Sequence, residues 1–373
     1  MPAPAPVGRA VVVGGSIAGL LTAAALAHHY AEVIVFDRDR LPPEPVPRGG
    51  VPHARHCHLL FESCCSAIES LLPGVLHQRA RAGADISGYQ RRVLSVDREV
   101  LEAWLRQRIA ELPTIGLHGR TSVLDLTMAE PGRVTGVVVT DLDHPGRSSQ
   151  RQAADLVVDA SGRASRLMEC LERHGCPAPP VDRKRIDGIH VTWRFTLPAG
   201  VEPAGRLAEF DSVITDPSGS GRGSMRFARV TERDWLLSLA GYGGIRPPCD
   251  LAGFTAYARS LAGVDIKNLI DELEPAGDPL TYREPTLVRR RFERLRDPVE
   301  GLIAVGDARC AVDAAGGAGI SAAAFQAVVL RDTIGSGRVG LPRRHYRRSA
   351  RLLDRLWESA NDRYPALADQ ARG

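Results

Sequence analysis

Unbroken apolar runs near both ends of the chain stop at glycine, whereas the middle alternates apolar and polar positions. Residues 10–13 are Ala-Val-Val-Val and end at Gly14, the pattern of a strand buried on both faces of a parallel sheet. A helix is predicted over 17–29, rich in alanine and so able to lie close on a sheet. Val33, Ile34, Val35 and Phe36 form a second buried strand that closes on Asp37, which completes a βαβ beginning. Prolines and glycines make 41–52 a loop. Leu101, Leu105, Ile109 and Leu112 share one stripe of an amphipathic helix over 98–112. Strands are predicted at 134–140 and 155–159, flanking a polar turn at 141–151. Beyond Pro177 the texture changes: 190–197, 224–230 and 235–242 alternate or carry β-formers between turns such as 217–221, reading as an antiparallel sheet in a second domain. The chain then returns to an apolar strand at 302–305, a glycine-rich loop, a helix over 320–333 and an arginine-rich amphipathic helix over 343–359.

At 373 residues the chain has room for two average domains, and 44% hydrophobic with 25% charged residues excludes a disordered or collagen-like polymer. The net charge of +4 carries little information, because 46 of the 48 basic residues are arginines scattered among acids. A nucleic-acid protein gathers its cations into a patch or tail, so no nucleic-acid partner is expected. Seven cysteines without a CxxC pair argue against a disulfide scaffold or zinc site and for a reducing compartment. The uncharged run 10–27 imitates a secretory signal, but Gly14-Gly15-Ser16 interrupts it; the second such run, 314–330, is short for a bilayer span. A soluble, cytoplasmic protein without a membrane span is expected.

Two segments carry chemistry. Gly14-Gly15-Ser16-Ile17-Ala18-Gly19 matches G-x-G-x-x-G with Ser16 at the middle glycine. Such a turn is tight, lets a pyrophosphate approach the backbone, and places it on free N–H groups at a helix N-terminus. Serine keeps that approach open, and its hydroxyl could donate to phosphate. Asp37, 23 residues beyond Gly14, is placed for the two hydroxyls of an adenosine ribose. The alternative is a purely structural turn. Gly301 to Ala308, with Gly306 and Asp307, leads into Gly316-Gly317-Ala318-Gly319-Ile320-Ser321. An acid at a strand end can hold a ribityl chain, and the helix that follows can aim its positive end at the N1 and O2 edge of a reduced flavin. Here the alternative is a second tight turn with Asp307 as a cap.

Together these segments resemble the FAD-dependent monooxygenase superfamily with the para-hydroxybenzoate hydroxylase fold, and more narrowly the bacterial tailoring oxygenases of polyketide and other secondary metabolism. The resemblance rests on 11–20, Phe36-Asp37-Arg38, Pro47 to Pro52 with Arg55, His56, Cys57 and His58, and 155–163 with Ser165 and Arg166. It continues through Arg290 to Leu295 and 301–321, covering about 8–335 and weakening over 180–280. It implies an α/β fold: an FAD-binding Rossmann-like domain of the glutathione reductase type, interleaved with an antiparallel-sheet substrate domain, plus a C-terminal helix. The expected division is 1–65, 96–178 and 285–335 for the FAD domain, 66–95 and 179–284 for the substrate domain, and 336–373 for the helical segment.

By the same resemblance Asp37 binds the adenosine ribose with Arg38 beside it, Arg98 lies near the pyrophosphate and Arg48 contacts the flavin half. Asp307 holds the ribityl chain or pyrophosphate, the backbone of Ala318, Gly319 and Ile320 meets the flavin edge, and Val123 joins the cofactor site. The implied chemistry is hydroxylation or epoxidation of an apolar small molecule with O2, through a flavin C4a-(hydro)peroxide, with NADPH or NADH as donor or a separate flavin reductase. A homodimer is a further possible arrangement. Two departures from the family pattern stand out: Ala314 where a proline is common, and Ser161-Gly162 where Asp-Gly is common. The halogenase segment Trp-x-Trp-x-Ile-Pro is absent, Trp193 standing alone.

A flavin adduct of this kind needs a dry pocket, and Val191, Trp193, Phe195, Met225, Phe227, Trp235, Leu237 and Leu239 are candidates for its lining, with plain core packing as the alternative. His53, His56 and His58 lack a further ligand pair at useful spacing, so no metal is expected; His56 near the flavin and ordinary loop or core histidines both remain open. No group is singled out as catalytic. The competing functions are an FAD-retaining non-redox enzyme such as a cyclase, motivated by the altered loop at 313–316, a flavin dehydrogenase or reductase, and a nucleotide-binding module without catalysis.

Overall fold

The computed structural model describes Pro6 and residues 8–76, 84–86, 89–91, 93–130, 132–203, 212–215, 223–261, 270–313 and 317–363. Ala314, the altered family position, and the turn 217–221 lie outside the described residues.

The apolar runs become a five-stranded parallel sheet in the order Leu302–Ala304, Leu156–Asp159, Arg9–Val13, Glu32–Phe36, Ile115–His118. Val11, Val33, Val158 and Ile303 are fully buried, as a sheet covered on both faces requires. One cover is helical: Ile17–Leu26, Arg98–Ala110 and Ala318–Ile334 share a core that includes Leu20, Leu21, Leu101, Leu105 and Ala324. The other cover is a three-stranded antiparallel sheet built on Thr121–Glu130 and Arg133–Asp141. Its third strand, Gln150–Ala153, begins within the predicted turn at 141–151 and runs past its end; three of its four residues are polar and it is largely exposed, so it leaves no apolar signature.

The expected helix over 17–29 ends at Leu26, where Ala27 to His29 turn so that Tyr30 can bury its ring. An eight-stranded sheet forms the second layer, centred on Val181–Thr196, Asp234–Gly241, Gly223–Arg229 and Glu274–Arg290. Val181–Thr196 begins well before the predicted strand at 190–197, and its partner Glu274–Arg290 falls where no strand was predicted. Asp182, Arg183, Lys184 and Arg185 lie opposite Arg289, Val288, Leu287 and Thr286, so ladder bonding rather than apolar patterning defines this part of the pair. Residues 84–86 and 89–91 join this sheet, whereas Glu62–Leu71 packs among the helices of the first layer. Leu341–Arg363 closes the chain, placing Leu353, Trp357 and Ala360 against Ile186, Tyr242 and Leu287. No described helix is long and apolar enough to cross a membrane.

Period-two alternation divides the antiparallel sheet into two unlike faces. Val191, Trp193 and Phe195 pair with Leu239, Leu237 and Trp235 and pack with Phe254 and Ala258 of the Leu251–Ser260 helix. Of the two readings of those eight apolar residues the structure takes core packing: all of them belong to this outer core. The intervening positions, His190, Thr192, Ser224, Arg226, Ser238 and Ala240, form the face turned toward the first layer.

Close approach decides the first glycine turn. A Cβ on Gly19 would stand 1.7 Å from the carbonyl oxygen of Gly14, so any side chain there drives the helix off the strand. Gly19→Ala should lose about 2–3 kcal/mol of stability, read from urea unfolding; an unchanged midpoint would contradict this packing.

Candidate functional site

The carboxyl ends of the parallel strands open onto a cleft of about 470 Å³, within the roughly 300–1,000 Å³ of a site for a drug-sized ligand. Both glycine segments reach it. Gly14, Ser16, Ile17, Ala18, Asp37, Arg38, Arg48, Arg98 and Val123 line one part, and Gly306, Asp307, Gly319 and Ile320 another. Gly15, Gly19 and Ala318 stand behind the wall. Gly15 donates its N–H to Asp37 Oδ2 at 2.6 Å, tying the first turn to the second strand. Gly306, at φ +58°, would place a Cβ 2.8 Å from that of Ala18, so the two distant segments touch.

One buried carboxylate organises the first half. Glu102, 3% exposed, accepts from Ser16 Oγ at 2.6 Å, Arg48 Nη2 at 2.8 Å, Arg98 Nε at 3.2 Å and Arg106 Nη1 at 3.5 Å. Burial alone would raise its pKa, but the arginines, chiefly Arg98 and Arg48, and the Ser16 and Arg48 hydrogen bonds hold it below the ordinary carboxylate value. One expectation changes here. The Ser16 hydroxyl donates to Glu102 and accepts from Arg98 Nη2, so its proton does not point at a phosphate. Arg48, expected at the flavin half, is held by Glu102 and lies 3.4 Å from Asp37 and 3.5 Å from Asp39. A single guanidinium thus gathers three acids around the first turn.

The second half is clamped by Arg163. Its guanidinium faces Asp307 at 3.5 Å, donates to Glu284, which is wholly buried, and takes the carbonyls of Thr286 at 3.0 Å and Val312 at 2.9 Å. Asp307 is raised above the usual aspartate value by burial, with Arg163, Arg98 and Arg290 opposing. The helices over Ile17–Leu26 and Ala318–Ile334 both begin at this cleft without a side-chain cap, leaving N–H groups for an anionic or electron-rich ligand.

Where the cleft meets the inner face of the antiparallel sheet lies a small chamber of about 30 Å³, room for one water-sized group such as a single oxygen of a ligand, lined by His53, His56, Cys57, His58, His190, Ser224, Arg226, Ser238, Ala240 and Tyr282. Burial pushes His56 down to about 4, aided by His190, and His58 down to about 3, aided by Arg98, so both rings are neutral near pH 7. His190, Glu284 and Asp313 bring potential metal-ligating atoms within 4.8 Å of one another, but Glu284 already has Arg163 as its cation and Asp313 accepts from Tyr242.

Glu102, Arg163, Glu284 and Tyr282 escaped the sequence reading as site residues. Glu102 follows Arg98 at i+4 on an amphipathic helix, a spacing that usually marks an exposed pair; only its neighbour Leu101 and the stripe beside it hinted at burial. Arg163 stood within a recognised segment without a role.

The FAD binding domain family matches residues 48–192. Protein Rv3254 of Mycobacterium tuberculosis is 30% identical over 353 residues, covering 87% of this chain and 73% of the relative. Among solved structures, the myxobacterial chondrochloren halogenase CndH aligns with TM-score 0.70 at 15% identity, over 97% of this chain and 82% of that one. The probable FAD-dependent monooxygenase PqsL of Pseudomonas aeruginosa aligns at 0.66 and 16%, over 97% and 99%. At such identities the structural likeness is one of fold. The chain belongs to one family with protein Rv3254 along most of its length, carries an FAD binding domain match, and has the para-hydroxybenzoate hydroxylase-type fold of the FAD-dependent halogenases and monooxygenases.

Glu102→Gln leaves three guanidiniums short of their countercharge and should cost about 3–5 kcal/mol. Because the folded-state pKa of Glu102 is depressed, its contribution is complete above the unfolded value near 4.5 and fades as pH falls through the folded value. Urea midpoints measured between about pH 5 and 3 should therefore fall less steeply in the glutamine variant than in the wild type. Parallel slopes would remove Glu102 from its central role.

Proposed function

We propose that this flavoenzyme is a monooxygenase that inserts one oxygen atom of O2 into a small organic substrate held between the cofactor cleft and the polar face of the antiparallel sheet. The observation that carries the reading is the convergence of the two glycine segments on one cleft that continues into a chamber on that sheet. The residues fit FAD. Two uncapped helix ends suit its pyrophosphate and the electron-rich edge of its ring. A Cβ at Gly49, Gly162 or Gly319 would meet nothing within 4 Å, leaving open backbone beside the cleft for a flat ligand.

In this reading Asp37, steered by Arg48, takes the adenosine ribose, with exposed Arg38 at the rim and Val123 against the adenosine half. Arg98 neutralises pyrophosphate, Asp307 holds the ribityl chain, and the backbone at 318–320 faces the ring. When bound, FAD supplies the electrons that activate O2. The chain orients it, keeps the histidines neutral and shields the chamber. The chamber adds hydroxyl and imidazole groups to a largely apolar wall, which suits an apolar small molecule that carries a polar group, in keeping with a role in secondary metabolism. The halogenase likeness brings the fold only, since the chain has Trp193-Arg194-Phe195 where a second tryptophan would follow. The reductant is NADPH, NADH or a separate reductase.

Purified protein should be yellow, and Asp307→Ala should weaken FAD binding at least tenfold, about 1.4 kcal/mol, relative to Arg347→Ala on the last helix. Gly319→Ala should keep its unfolding midpoint while losing FAD, because the methyl faces the open cleft. Oxygen-electrode traces with NADPH, NADH or a chemically reduced flavin supply should show substrate-dependent O2 uptake. Undiminished turnover without oxygen or reductant would transfer the protein to the non-redox class.

A further inference from the structure

The chamber on the inner sheet face contains a chain of polar groups whose proton order can be worked out. The backbone N–H of Cys57 donates to Ser238 Oγ at 3.1 Å. Ser238 Oγ lies 2.6 Å from Thr192 Oγ1, which lies 2.7 Å from His56 Nδ1. Thr192, Ser238 and His56 are 1%, 9% and 8% exposed, so an unused hydroxyl proton here is costly. Among the described residues Ser238 Oγ has one acceptor within reach, Thr192. Its proton therefore goes to Thr192, and the Thr192 proton goes to His56 Nδ1. The reverse order would leave two groups without a described partner, the Ser238 proton and the Nε2 lone pair, against the single Nε2–H of this order. A neutral imidazole that accepts at Nδ1 carries its proton on Nε2. The low pKa of His56 agrees with a neutral ring. Among the described residues nothing bonds Nε2, and the ring lines the chamber.

Resting on the monooxygenase reading of this site, we infer that His56 Nε2–H is a fixed hydrogen-bond donor to the substrate, that Thr192 and Ser238 are positioning residues that set its tautomer, and that the substrate carries an acceptor oxygen, such as a carbonyl, opposite it. The order follows from register. Thr192 pairs with Ser238 across the central strands, so both hydroxyls project from one face directly beneath the loop that carries His56. Among the described residues the two hydroxyls bond each other, the Cys57 N–H and His56 Nδ1. A neutral N–H donor selects strongly. A substrate without the acceptor leaves that donor dry and unpaired, and sites built around such a bond reject the lacking analogue far more than a missing methylene would be rejected.

The test uses holoprotein, with 1-tetralone and tetralin as probes that share a ring skeleton and differ by one carbonyl. Both are titrated by perturbation of the flavin absorbance, while ¹⁵N-histidine NMR reads the tautomer of each ring. Expected are a His56 spectrum with the proton on Nε2 and at least a tenfold preference for the ketone. Thr192→Val should convert His56 to a mixture of tautomers and reduce the preference several-fold; Thr192→Ser should restore both. His56→Phe should bring the two affinities within about twofold. Equal affinities in the wild type, saturable binding of neither probe, a proton on Nδ1, or a Thr192→Val variant that keeps the Nε2–H signature would each overturn the inference. Flavin content, taken from the same samples, reports on the monooxygenase reading separately: a colourless chain with the expected tautomer defeats that reading, and a yellow one with the wrong tautomer defeats this inference.

Discussion

One carboxylate bears the arrangement of the cofactor cleft. Glu102 draws Arg48, Arg98 and Arg106 into a space from which water is nearly absent. Several like charges in such a space would repel one another without it, and the carboxylate would itself be costly without them. The consequences spread outward. Arg48, held by Glu102, leans on Asp37 and Asp39 and so orders the end of the second strand. Arg98, held by the same group, bonds Ser16 Oγ and His53 Nε2, linking the first glycine turn to the histidine loop. Local charge compensation thus sets the relative placement of a strand end, a turn and a loop that are far apart in sequence.

The opposite end of the cleft follows the same logic with the signs exchanged. Arg163 is a cation among acids and carbonyls, binding Glu284 of the antiparallel sheet while facing Asp307 of the parallel layer. It therefore couples the two sheets across the cleft. The steric contact of Gly306 with Ala18 is the complementary device, joining the two nucleotide segments by shape rather than charge.

How much of this was visible in the residues depended on distance along the chain. The two glycine segments, the buried strands and Asp37 were legible because their signals are local: a turn and the helix behind it occupy a dozen consecutive positions. Glu102 was not, because a glutamate four residues after an arginine looks the same whether it faces solvent or three guanidiniums. Ser16 was legible as a small residue in the turn, but its proton goes to a helix 86 residues away. The alternation of 190–197 was plain in the sequence. Which of its faces met the cleft was not, since that depended on where the Leu251–Ser260 helix docked, and the docked helix claimed the apolar face. The long charged strand ends were missed because backbone bonding, not side-chain patterning, holds them.

The two-sided character of the antiparallel sheet has a consequence for how such a protein changes over time. Residues on its outer side, such as Trp235 and Leu237, answer to folding; those on its inner side, such as Ser224 and Ala240, answer to whatever is bound there. Because neighbours along a strand point in opposite directions, selection can rewrite one set while the other stands unchanged. A scaffold organised in this way can acquire new chemistry by drift at alternate positions, and lineages that diverge in what they oxidise can keep a common architecture.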